Sequence, residues 1–340
     1  MVNMERVKMA CCGFGFMGKT HAMNLKAHRK VELVSIFSAA KDKEEIEKLN
    51  VSFYDDWKLM LESEELDAVV VATPTITHAG VAMHCISQDL HVFLEKPMEI
   101  NAGKCNQIIR AANQRDVKLG LGHVLRFDNQ YLSIKNAVDA GQIGVPKMIR
   151  CRRRGPAPNW SSWFFDEAKS GTVILDLSIH DLDYICWLAG REPTSVCAMA
   201  SELELGGNQI FGISHVVLDF QKDNIDGGKT IELGFAEASW AGVKGFPFST
   251  DVEVAGDDGL ITSHIPGKHP LNIYGDDGGV AMNLLTKDGY FQELDDFVSA
   301  ILENRPPKVS GADGLRAVRV CTAALKSAQT GKVITMGGFK

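Results

Sequence analysis

A glycine-rich segment that directly follows a short apolar run constrains this sequence more than any other feature. The run Val7–Cys12 is long enough for a buried strand, the segment after it reads GFGFMG, and Lys19–His28 suits a helix. The spacing G-x-G-x-x-G between a strand and a helix is typical of a dinucleotide-binding loop, although a glycine-rich turn without a ligand is the alternative. The dinucleotide hypothesis assigns cofactor contacts to Gly13, Gly15, Phe16, Met17 and Gly18.

Length and composition indicate an ordinary globular protein. A chain of 340 residues exceeds the size at which one core stops growing, so two domains are expected. The net charge of −7 argues against a nucleic-acid partner, and the local exception, Arg152 to Arg154, suits alternation along a strand edge. No apolar run of about 18 residues occurs, and the first residues lack a signal-peptide pattern. We therefore expect a cytoplasmic protein without a membrane span.

Cysteine usage predicts no metal site. The eight cysteines contain no C-x-x-C pair, and two of them, Cys11 and Cys12, are adjacent in the first predicted strand and point to opposite faces. Reduced and mostly buried thiols are the simplest expectation for such a chain.

Strands and helices alternate through the first third of the chain. Continuous apolar runs predict parallel strands that are buried on both faces, and the segments between them carry apolar residues at helical spacing. The later strands are predicted at Val31–Phe37, Asp67–Thr73, Leu90–Leu94 and Val117–Val124, with helices over Thr77–Ser87 and from an Asn101 N-cap to Arg115. Residues 1–124 are therefore predicted to form an α/β dinucleotide-binding domain with a doubly wound parallel sheet of the Rossmann type.

The remaining residues, 125–340, change in character and are predicted to form an α+β domain for substrate binding and oligomerisation. Its open sheet is expected to be mainly antiparallel, because turn signals separate strands of alternating polarity. The predicted strands are Met148–Arg154, Ser195–Glu204, His215–Phe220, Thr230–Trp240 and Thr250–Val254, and the predicted helices are Ser178–Leu188, Phe291–Leu302 and Leu315–Ala328. Packing of the C-terminal helix back on the first domain is left open.

Ligands of a doubly wound sheet bind beyond the carboxyl ends of its strands. An NAD site normally carries an acid about 20 residues after the glycines, whereas this chain has Ser38 there, with Lys41 and Lys43 nearby. Lysines can pair with a 2′-phosphate, so this segment slightly favours NADP within an NAD(P) site. Thr73 and Pro74, after the third predicted strand, are expected beneath the nicotinamide ribose.

Lys96 follows the fourth predicted strand and the acidic residue Glu95. A fixed positive charge in the crevice of the nicotinamide could hold a substrate oxygen and stabilise a developing alkoxide. The alternative is a structural ion pair between Lys96 and Glu95, or a role in helix capping.

Asp176 and His180 lie four residues apart in an otherwise apolar segment, and they share one face if that segment is helical. A carboxylate and an imidazole in such a place need partners, and a histidine oriented by them is a suitable proton acceptor near neutral pH. The alternative is a core histidine that bonds Asp176 for stability alone.

Taken together, four motifs resemble the Gfo/Idh/MocA oxidoreductase family over nearly the whole chain. They are the glycine loop, TPxxxH as Thr73 to His78, EKP as Glu95 to Pro97 and DxxxHD as Asp176 to Asp181. The resemblance implies a Rossmann domain and a C-terminal domain whose open sheet builds a homodimer or homotetramer. It also implies hydride transfer between NAD(P) and a hydroxyl carbon of a sugar, inositol or related polyol.

Carried over residue by residue, the resemblance makes Lys96 a contact of the substrate oxygen and the nicotinamide ribose, and His180 the general acid/base. Asp176 would orient the substrate and the histidine, and His78 and Glu95 belong to the cofactor side of the site. The sequence departs from the family pattern at Ser38, and also at Ser170-Gly171-Thr172, where many relatives carry a glycine pair. The departure at Ser38 concerns the choice of cofactor, and the departure near Thr172 concerns the floor of the substrate pocket.

Alternatives to a polyol dehydrogenase remain at this stage. A nucleotide-sensing regulatory protein of the same fold would bind a dinucleotide without chemistry. A reductase of a non-sugar carbonyl would use the same residues on another substrate. A methyltransferase could share the glycine loop but would not require Lys96 and His180.

Overall fold

The protein is described here by a computed structural model, which covers residues 6–40, 42–220, 231–265, 271–275, 278–282 and 288–338. The chain divides into two compact units. Unit 1 consists of Met1–Phe127 and Lys287–Leu315, and unit 2 consists of Asp128–Thr286 and Arg316–Lys340.

The first third of the chain alternates strands and helices, as the apolar pattern predicts. Its elements in order are β1 (Val7–Cys12), α1 (Phe16–Ala27), β2 (Val31–Phe37), α2 (Lys43–Glu47), β3 (Ser52–Tyr54), α3 (Trp57–Ser63), β4 (Ala68–Val71), α4 (His78–Ser87), β5 (His91–Glu95), α5 (Ala102–Arg115) and β6 (Leu119–Gly122).

The elements that follow are longer strands and a few helices. They are α6 (Asn129–Asp139), β7 (Pro146–Pro156), α7 (Glu167–Ser170), α8 (Ile179–Ala189), β8 (Ser195–Leu205), β9 (Asn208–Asp219), β10 (Leu233–Gly242), β11 (Ser249–Gly256), β12 (Gly259–Ile265), β13 (Leu271–Gly275), β14 (Gly278–Met282), α9 (Gly289–Leu302), α10 (Gly311–Thr330) and β15 (Ile334–Thr335).

The sheet of unit 1 has the strand order β3-β2-β1-β4-β5-β6, and every neighbouring pair is parallel. This order confirms the predicted doubly wound sheet. The strand β3 and the short helices on either side of it were not predicted, because segments of three to seven residues are too short to show a period. Helix α1 begins at Phe16 and not at Lys19, because the third glycine of the loop lies inside its first turn.

Helix α9 lies in unit 1, although the predicted division at residue 124 places it in the second domain. Its apolar stripe of Leu294, Phe297 and Val298 belongs to the core that also contains β1, β2 and β5. The Phe297 ring packs 5.6 Å from the ring of Phe93, and a Cβ on Gly120 would lie 2.8 Å from it. The sequence predicts the helix but not its unit, because an apolar stripe does not specify which sheet it covers.

The sheet of unit 2 has the order β14-β13-β12-β11-β7-β10-β9-β8-β15 in the described part of the chain. Strands β7 and β10 pair in parallel and the other neighbours are antiparallel, which confirms the predicted mainly antiparallel sheet. The predicted strand at Thr230–Trp240 corresponds to β10, and its first residue lies outside the described residues. Strands β12 to β15 were not predicted.

The cysteines behave as the sequence indicates. All eight are free thiols, and seven of them are buried while Cys197 is exposed. Of the helices in the described ranges, none combines the length and the apolarity needed to cross a bilayer.

Candidate active site

The loop after β1 has the geometry that its glycine spacing predicts. Gly13 has a φ angle of +109°, and a Cβ built there would lie 2.4 Å from the carbonyl oxygen of Ala72, directly after β4. A Cβ on Gly18 would lie 2.1 Å from the carbonyl oxygen of Gly13. Side chains are therefore excluded at both glycines, at Gly13 by the backbone conformation and the neighbouring strand and at Gly18 by the packing of α1 on the loop.

Gly15, the second glycine, faces open space. A Cβ there would meet no heavy atom within 4 Å, and Gly15 is the N-cap of α1 without a side-chain cap. The first turn of α1 consists of exposed Phe16, half-buried Met17 and buried Gly18. The N–H groups of a first helical turn point along the axis, and the helix dipole adds to the attraction of an anion. This geometry fits the pyrophosphate of a dinucleotide.

The carboxyl ends of β2, β1, β4 and β5 form consecutive positions along the edge of the sheet. The glycine loop, Ser38, the Thr73-Pro74 pair and the Glu95-Lys96 pair follow these four strands. Of the predicted cofactor residues, the structure therefore brings the glycine loop, Ser38, Thr73, Pro74, Glu95 and Lys96 to one edge, the edge at which ligands of doubly wound sheets bind.

Ser38 occupies the predicted place at the end of β2, but an acid lies against it. The Ser38 hydroxyl donates to Asp42 Oδ2 at 2.7 Å and accepts the N–H of Ala40 at 3.3 Å. The rule of about 20 residues does not find Asp42, because the chain turns back after Ser38 before α2 begins. The preference for NADP was predicted from the absence of an acid at this place, and the structure has one within hydrogen-bond distance of Ser38.

The lysines considered for a 2′-phosphate are engaged or outside the described residues. Lys43 is exposed, and its Nζ lies 3.8 Å from Glu47 Oε1 one turn along α2. Lys41 lies outside the described residues. A lysine that was not predicted, Lys19 of α1, reaches the same region and pairs with Glu45 at 2.6 Å.

His78 joins two of the strand ends. Its Nε2 lies 2.8 Å from the carbonyl oxygen of Thr73, and its Nδ1 lies 2.9 Å from the carbonyl oxygen of Pro97. Burial lowers the pKa of His78, although the two carbonyl acceptors favour the protonated ring. Backbone carbonyl oxygens face both ring nitrogens, so His78 links the segment that carries Thr73 to the segment that carries Pro97. Pro74, next to Thr73, is exposed.

Glu95 ends β5, and its two oxygens have separate partners. Oε1 lies 2.6 Å from Nε2 of His21 in α1, and Oε2 accepts the N–H of Lys96 at 3.0 Å. Burial would raise the pKa of Glu95, but the hydrogen bond and charge of His21, together with Lys96, hold it below the ordinary value. Besides carrying a charge next to Lys96, the Glu95 carboxylate therefore anchors the Lys96 backbone and joins it to His21. The Lys96–Pro97 peptide is cis.

Within the described ranges one group has the residue types of a metal site: His21, Glu95 and Glu293 are buried, and one ligand atom from each lies within 4.8 Å of the others. Ligand distances of 2.0–2.2 Å would place two atoms on a tetrahedral zinc ion roughly 3.3 Å apart. The 2.6 Å separation of His21 Nε2 and Glu95 Oε1 is instead that of a hydrogen bond. We therefore describe this group as a hydrogen-bonded pair with a neighbouring acid, Glu293.

In unit 2, Asp176 and His180 lie on a continuous helical segment, both half-buried. The first part, Ile174–Ser178, is a π-helix, and α8 continues from Ile179. Single turns of π-helix inside an α-helix occur frequently at functional sites. Since four residues make close to one full turn in either helix type, the predicted common face is kept.

Arg153 supports the helix that carries His180. Its Nη2 and Nε donate to the two oxygens of Asp181 at 2.8 and 3.1 Å, and Nη2 also donates to the hydroxyl of Tyr131 at 3.1 Å. Both ends of this ion pair are buried. The sequence predicts the arginine run at a strand edge, and this buried ion pair was not predicted. The signal was the alternation of β7, in which Arg153 shares its face with buried Ile149 and Cys151.

The residues before the π-helix carry a strained backbone. Gly171 and Thr172 have φ angles of +68° and +71°, and Thr172 is fully buried. A β-branched residue in this conformation is an outlier. Two hydrogen bonds hold it: Thr172 N–H donates to Ser170 Oγ at 3.1 Å, and Thr172 Oγ1 accepts the N–H of Ile174 at 3.3 Å.

Comparison with known proteins agrees with this geometry. Residues 7–123 match the model of the oxidoreductase family with an NAD-binding Rossmann fold, and residues 131–262 match the GFO/IDH/MocA C-terminal domain.

Similar proteins cover nearly the whole chain. A protein of Thermotoga maritima named Myo-inositol 2-dehydrogenase is 31% identical over 333 residues, covering 94% of this chain and 96% of the relative. An Inositol 2-dehydrogenase of Rhizobium meliloti is 26% identical over 336 residues, covering 94% of this chain and 96% of the relative. The crystal structure of a probable dehydrogenase from Thermotoga maritima superposes with a TM-score of 0.82 at 29% identity, covering 98% of this chain and 100% of that one. The chain therefore belongs to the GFO/IDH/MocA family of NAD-binding oxidoreductases.

Proposed function

We propose that this enzyme transfers a hydride between NAD(P) and a secondary hydroxyl carbon of an inositol, a sugar or a related polyol. The observation that carries the proposal is a match along both units to a relative named Myo-inositol 2-dehydrogenase, in a chain that has Lys96, Asp176 and His180 in the family's motifs. The open position at Gly15 and the first turn of α1 support dinucleotide binding.

The residues of unit 1 hold the coenzyme and the substrate oxygen. The loop from Gly13 to Gly18 would bind the pyrophosphate of the coenzyme, and Thr73 and Pro74 would contact its nicotinamide ribose. Bound NAD(P) supplies the exchange of a hydride with the substrate carbon. The Lys96 ammonium binds the substrate oxygen and stabilises its developing negative charge. Glu95 holds the Lys96 backbone through its hydrogen bond to the N–H.

The residues of unit 2 handle the proton. His180 removes the proton of the substrate hydroxyl during oxidation and returns it during reduction. Asp176 orients the substrate and the imidazole. The ion pair between Arg153 and Asp181 fixes the start of α8, so the His180 side chain keeps its place on the helix. We also propose that the open sheet of unit 2 joins copies of this chain into a homo-oligomer.

The test is a screen of the purified protein with NAD⁺ and NADP⁺ against polyols and aldoses, myo-inositol first, monitored by the absorbance of the reduced coenzyme. The proposal expects a substrate-dependent increase for at least one compound. Coenzyme binding without turnover of any polyol or aldose would contradict it and favour a nucleotide sensor. Oxidation of NADH or NADPH only by dicarbonyls or imines would favour the reductase of a non-sugar carbonyl.

A further inference from the structure

The buried acid next to the His21–Glu95 pair takes no part in the mechanism proposed above. We propose that Glu293 is a positioning residue for Lys96: as a neutral acid it leaves the His21–Glu95 pair intact, and its ionisation at alkaline pH disturbs Glu95 and the Lys96 backbone that Glu95 holds. The inference rests on the proposed function, in which Lys96 binds the substrate oxygen. All four residues belong to unit 1.

Glu293 of α9 faces the pair from within the core. It is 1% exposed, and one of its oxygens, one oxygen of Glu95 and one ring nitrogen of His21 all lie within 4.8 Å of one another. Among the described residues, none is a hydrogen-bond partner of either Glu293 oxygen. An ionised carboxylate in this place would be a buried charge without a partner, which is costly, and the group avoids that cost by keeping its proton.

The neighbouring charges also favour the neutral form of Glu293. Burial raises the pKa of the Glu293 carboxyl well above its ordinary value, and the negative charges of Glu95 and Asp288 raise it further. Burial would raise the pKa of Glu95 as well, but His21 and Lys96 hold it below the ordinary value. Near neutral pH the two acids therefore share one negative charge, which lies on Glu95.

Other titratable groups face the two acids from several elements. They include His21 of α1, Cys11 of β1, His78 of α4, Lys96 after β5 and, at the start of α9 itself, Asp288 and Tyr290. Burial and the charge of Glu95 raise the pKa of the Cys11 thiol to about 12, so this thiol stays uncharged over most of the alkaline range. Glu293 is thus the group in this core whose loss of a proton places a second negative charge next to Glu95.

Glu95 has little freedom to move away from such a charge. Its Oε1 lies 2.6 Å from His21 Nε2, its Oε2 accepts the N–H of Lys96 at 3.0 Å, and a Cβ on Gly122 of β6 would lie 3.1 Å from Oε1. When pH rises through the pKa of Glu293, Glu95 relieves the repulsion by loosening one of its two hydrogen bonds. The longer bond, to the Lys96 N–H, should yield first. We therefore expect the Lys96 ammonium to lose its productive position and kcat to fall.

The experiment measures kcat of the full-length protein from about pH 6 to about pH 10, at saturating coenzyme and with the best polyol or aldose of the screen. The unmodified enzyme should lose about tenfold or more of its kcat on the alkaline side of the optimum. Glu293→Gln has a neutral side chain of the same shape at every pH, so this loss should move to higher pH or disappear. Asp288→Asn keeps a good helix cap but removes a charge that opposes the ionisation of Glu293, so the loss should move to lower pH by about half a unit.

Glu44→Gln, at an exposed position of unit 1, is the control and should keep the profile of the unmodified enzyme. Infrared spectroscopy of the coenzyme-free protein at neutral pH is a second readout that needs no turnover. The C=O stretching band of protonated carboxyl groups should be weaker in Glu293→Gln than in the unmodified protein. Circular dichroism of each variant shows that the fold is kept.

Three results would overturn the inference. The first is an alkaline loss that Glu293→Gln leaves in place, and the second is a loss that this variant moves to lower pH, as removal of a negative charge near the Lys96 ammonium would do. The third is an infrared band that Glu293→Gln leaves unchanged. Turnover of no compound by the unmodified protein would overturn the proposed function, and the role of Glu293 toward Lys96 with it.

Discussion

His21 Nε2 lies 2.6 Å from Glu95 Oε1, and through Glu95 the first helix after the glycine loop is joined to the N–H of Lys96. The histidine is fully buried and the carboxylate nearly so. The contact therefore connects the two motifs that the resemblance assigns to the coenzyme and to the substrate oxygen, GxGxxG and EKP. Its role is positional, since neither His21 nor the Glu95 oxygen bonded to it is exposed to a ligand.

His21→Ala should destabilise the protein strongly, because it leaves the Glu95 carboxylate buried with one partner fewer. Breaking such a buried pair costs about 3 kcal/mol of the free energy of unfolding. Asp295→Asn is the control: it breaks the other histidine ion pair of α1, His28–Asp295, at its exposed end and should cost about 1 kcal/mol or less. Urea unfolding measures both. Equal losses for the two variants would contradict the role assigned to the His21–Glu95 contact.

Glu293 should make the stability of unit 1 depend on pH. Burial and the charges of Glu95 and Asp288 raise the pKa of the Glu293 carboxyl well above 4.5. A pKa raised on folding contributes stability that is complete below the unfolded value and is lost as pH rises through the folded value. Glu293→Gln removes this loss. Relative to the unmodified protein, the variant should gain up to about 1.4 kcal/mol of unfolding free energy per pH unit within that window.

Urea unfolding at about pH 5 and about pH 8 measures this gain. Glu44→Gln, at an exposed position of unit 1, is the control and should show a much smaller dependence. A difference between Glu293→Gln and the unmodified protein that is the same at both pH values would contradict the assignment.

Most of this fold is predictable from the sequence, and the exceptions have physical causes. Strands β1 and β2 are predicted to the residue, because each is a short segment rich in apolar and β-branched residues that is bounded by polar residues or glycine. The assignment of α9 to unit 1 is not predictable, because it depends on the contact of Phe297 with Phe93, which are more than two hundred positions apart. A burial pattern indicates which face of a helix or strand is buried, but not which element packs against that face.

Gly15 and Gly18 should separate folding from coenzyme binding. Gly18→Ala places a Cβ against the Gly13 carbonyl and should cost about 2 kcal/mol of stability, as overpacking does. Gly15→Ala meets no protein atom and should leave the thermal midpoint nearly unchanged. It should raise the dissociation constant of NADH about tenfold or more, because the methyl group occupies the place of the pyrophosphate. Unchanged NADH binding in Gly15→Ala would contradict this use of the loop.

Thr172→Gly should stabilise unit 2, because glycine adopts a φ of +71° without the strain of a β-branched residue. Relief of the left-handed backbone strain should add about 1 kcal/mol to the free energy of unfolding. Loss of the weak hydrogen bond from the Ile174 N–H reduces this gain. Thr172→Ala retains the Cβ and is the control. It should gain less stability than Thr172→Gly. The midpoint of thermal unfolding measures the effect, and a lower midpoint for Thr172→Gly would show that the threonine contacts outweigh the strain.

The site was predictable where a residue directly follows a strand and was missed where a partner comes from elsewhere. Lys96 and Ser38 are found by counting from apolar runs. Asp42 is not, because its contact with Ser38 depends on the turn between β2 and α2. The alternation of β7 indicates that Arg153 faces the core. A buried arginine needs an acidic partner, however, and the sequence does not identify Asp181 as that partner because it lies on another element.

The most direct test of the account is the turnover of His180→Ala at saturating coenzyme, with the best substrate from the polyol and aldose screen. Loss of a positioned acid/base should lower kcat by about 10²–10⁴-fold. The dissociation constant of NADH should stay within about threefold of the unmodified value, since His180 is assigned to the substrate proton and not to the coenzyme. A kcat close to that of the unmodified enzyme across the accessible pH range would contradict the assignment of His180 as the acid/base.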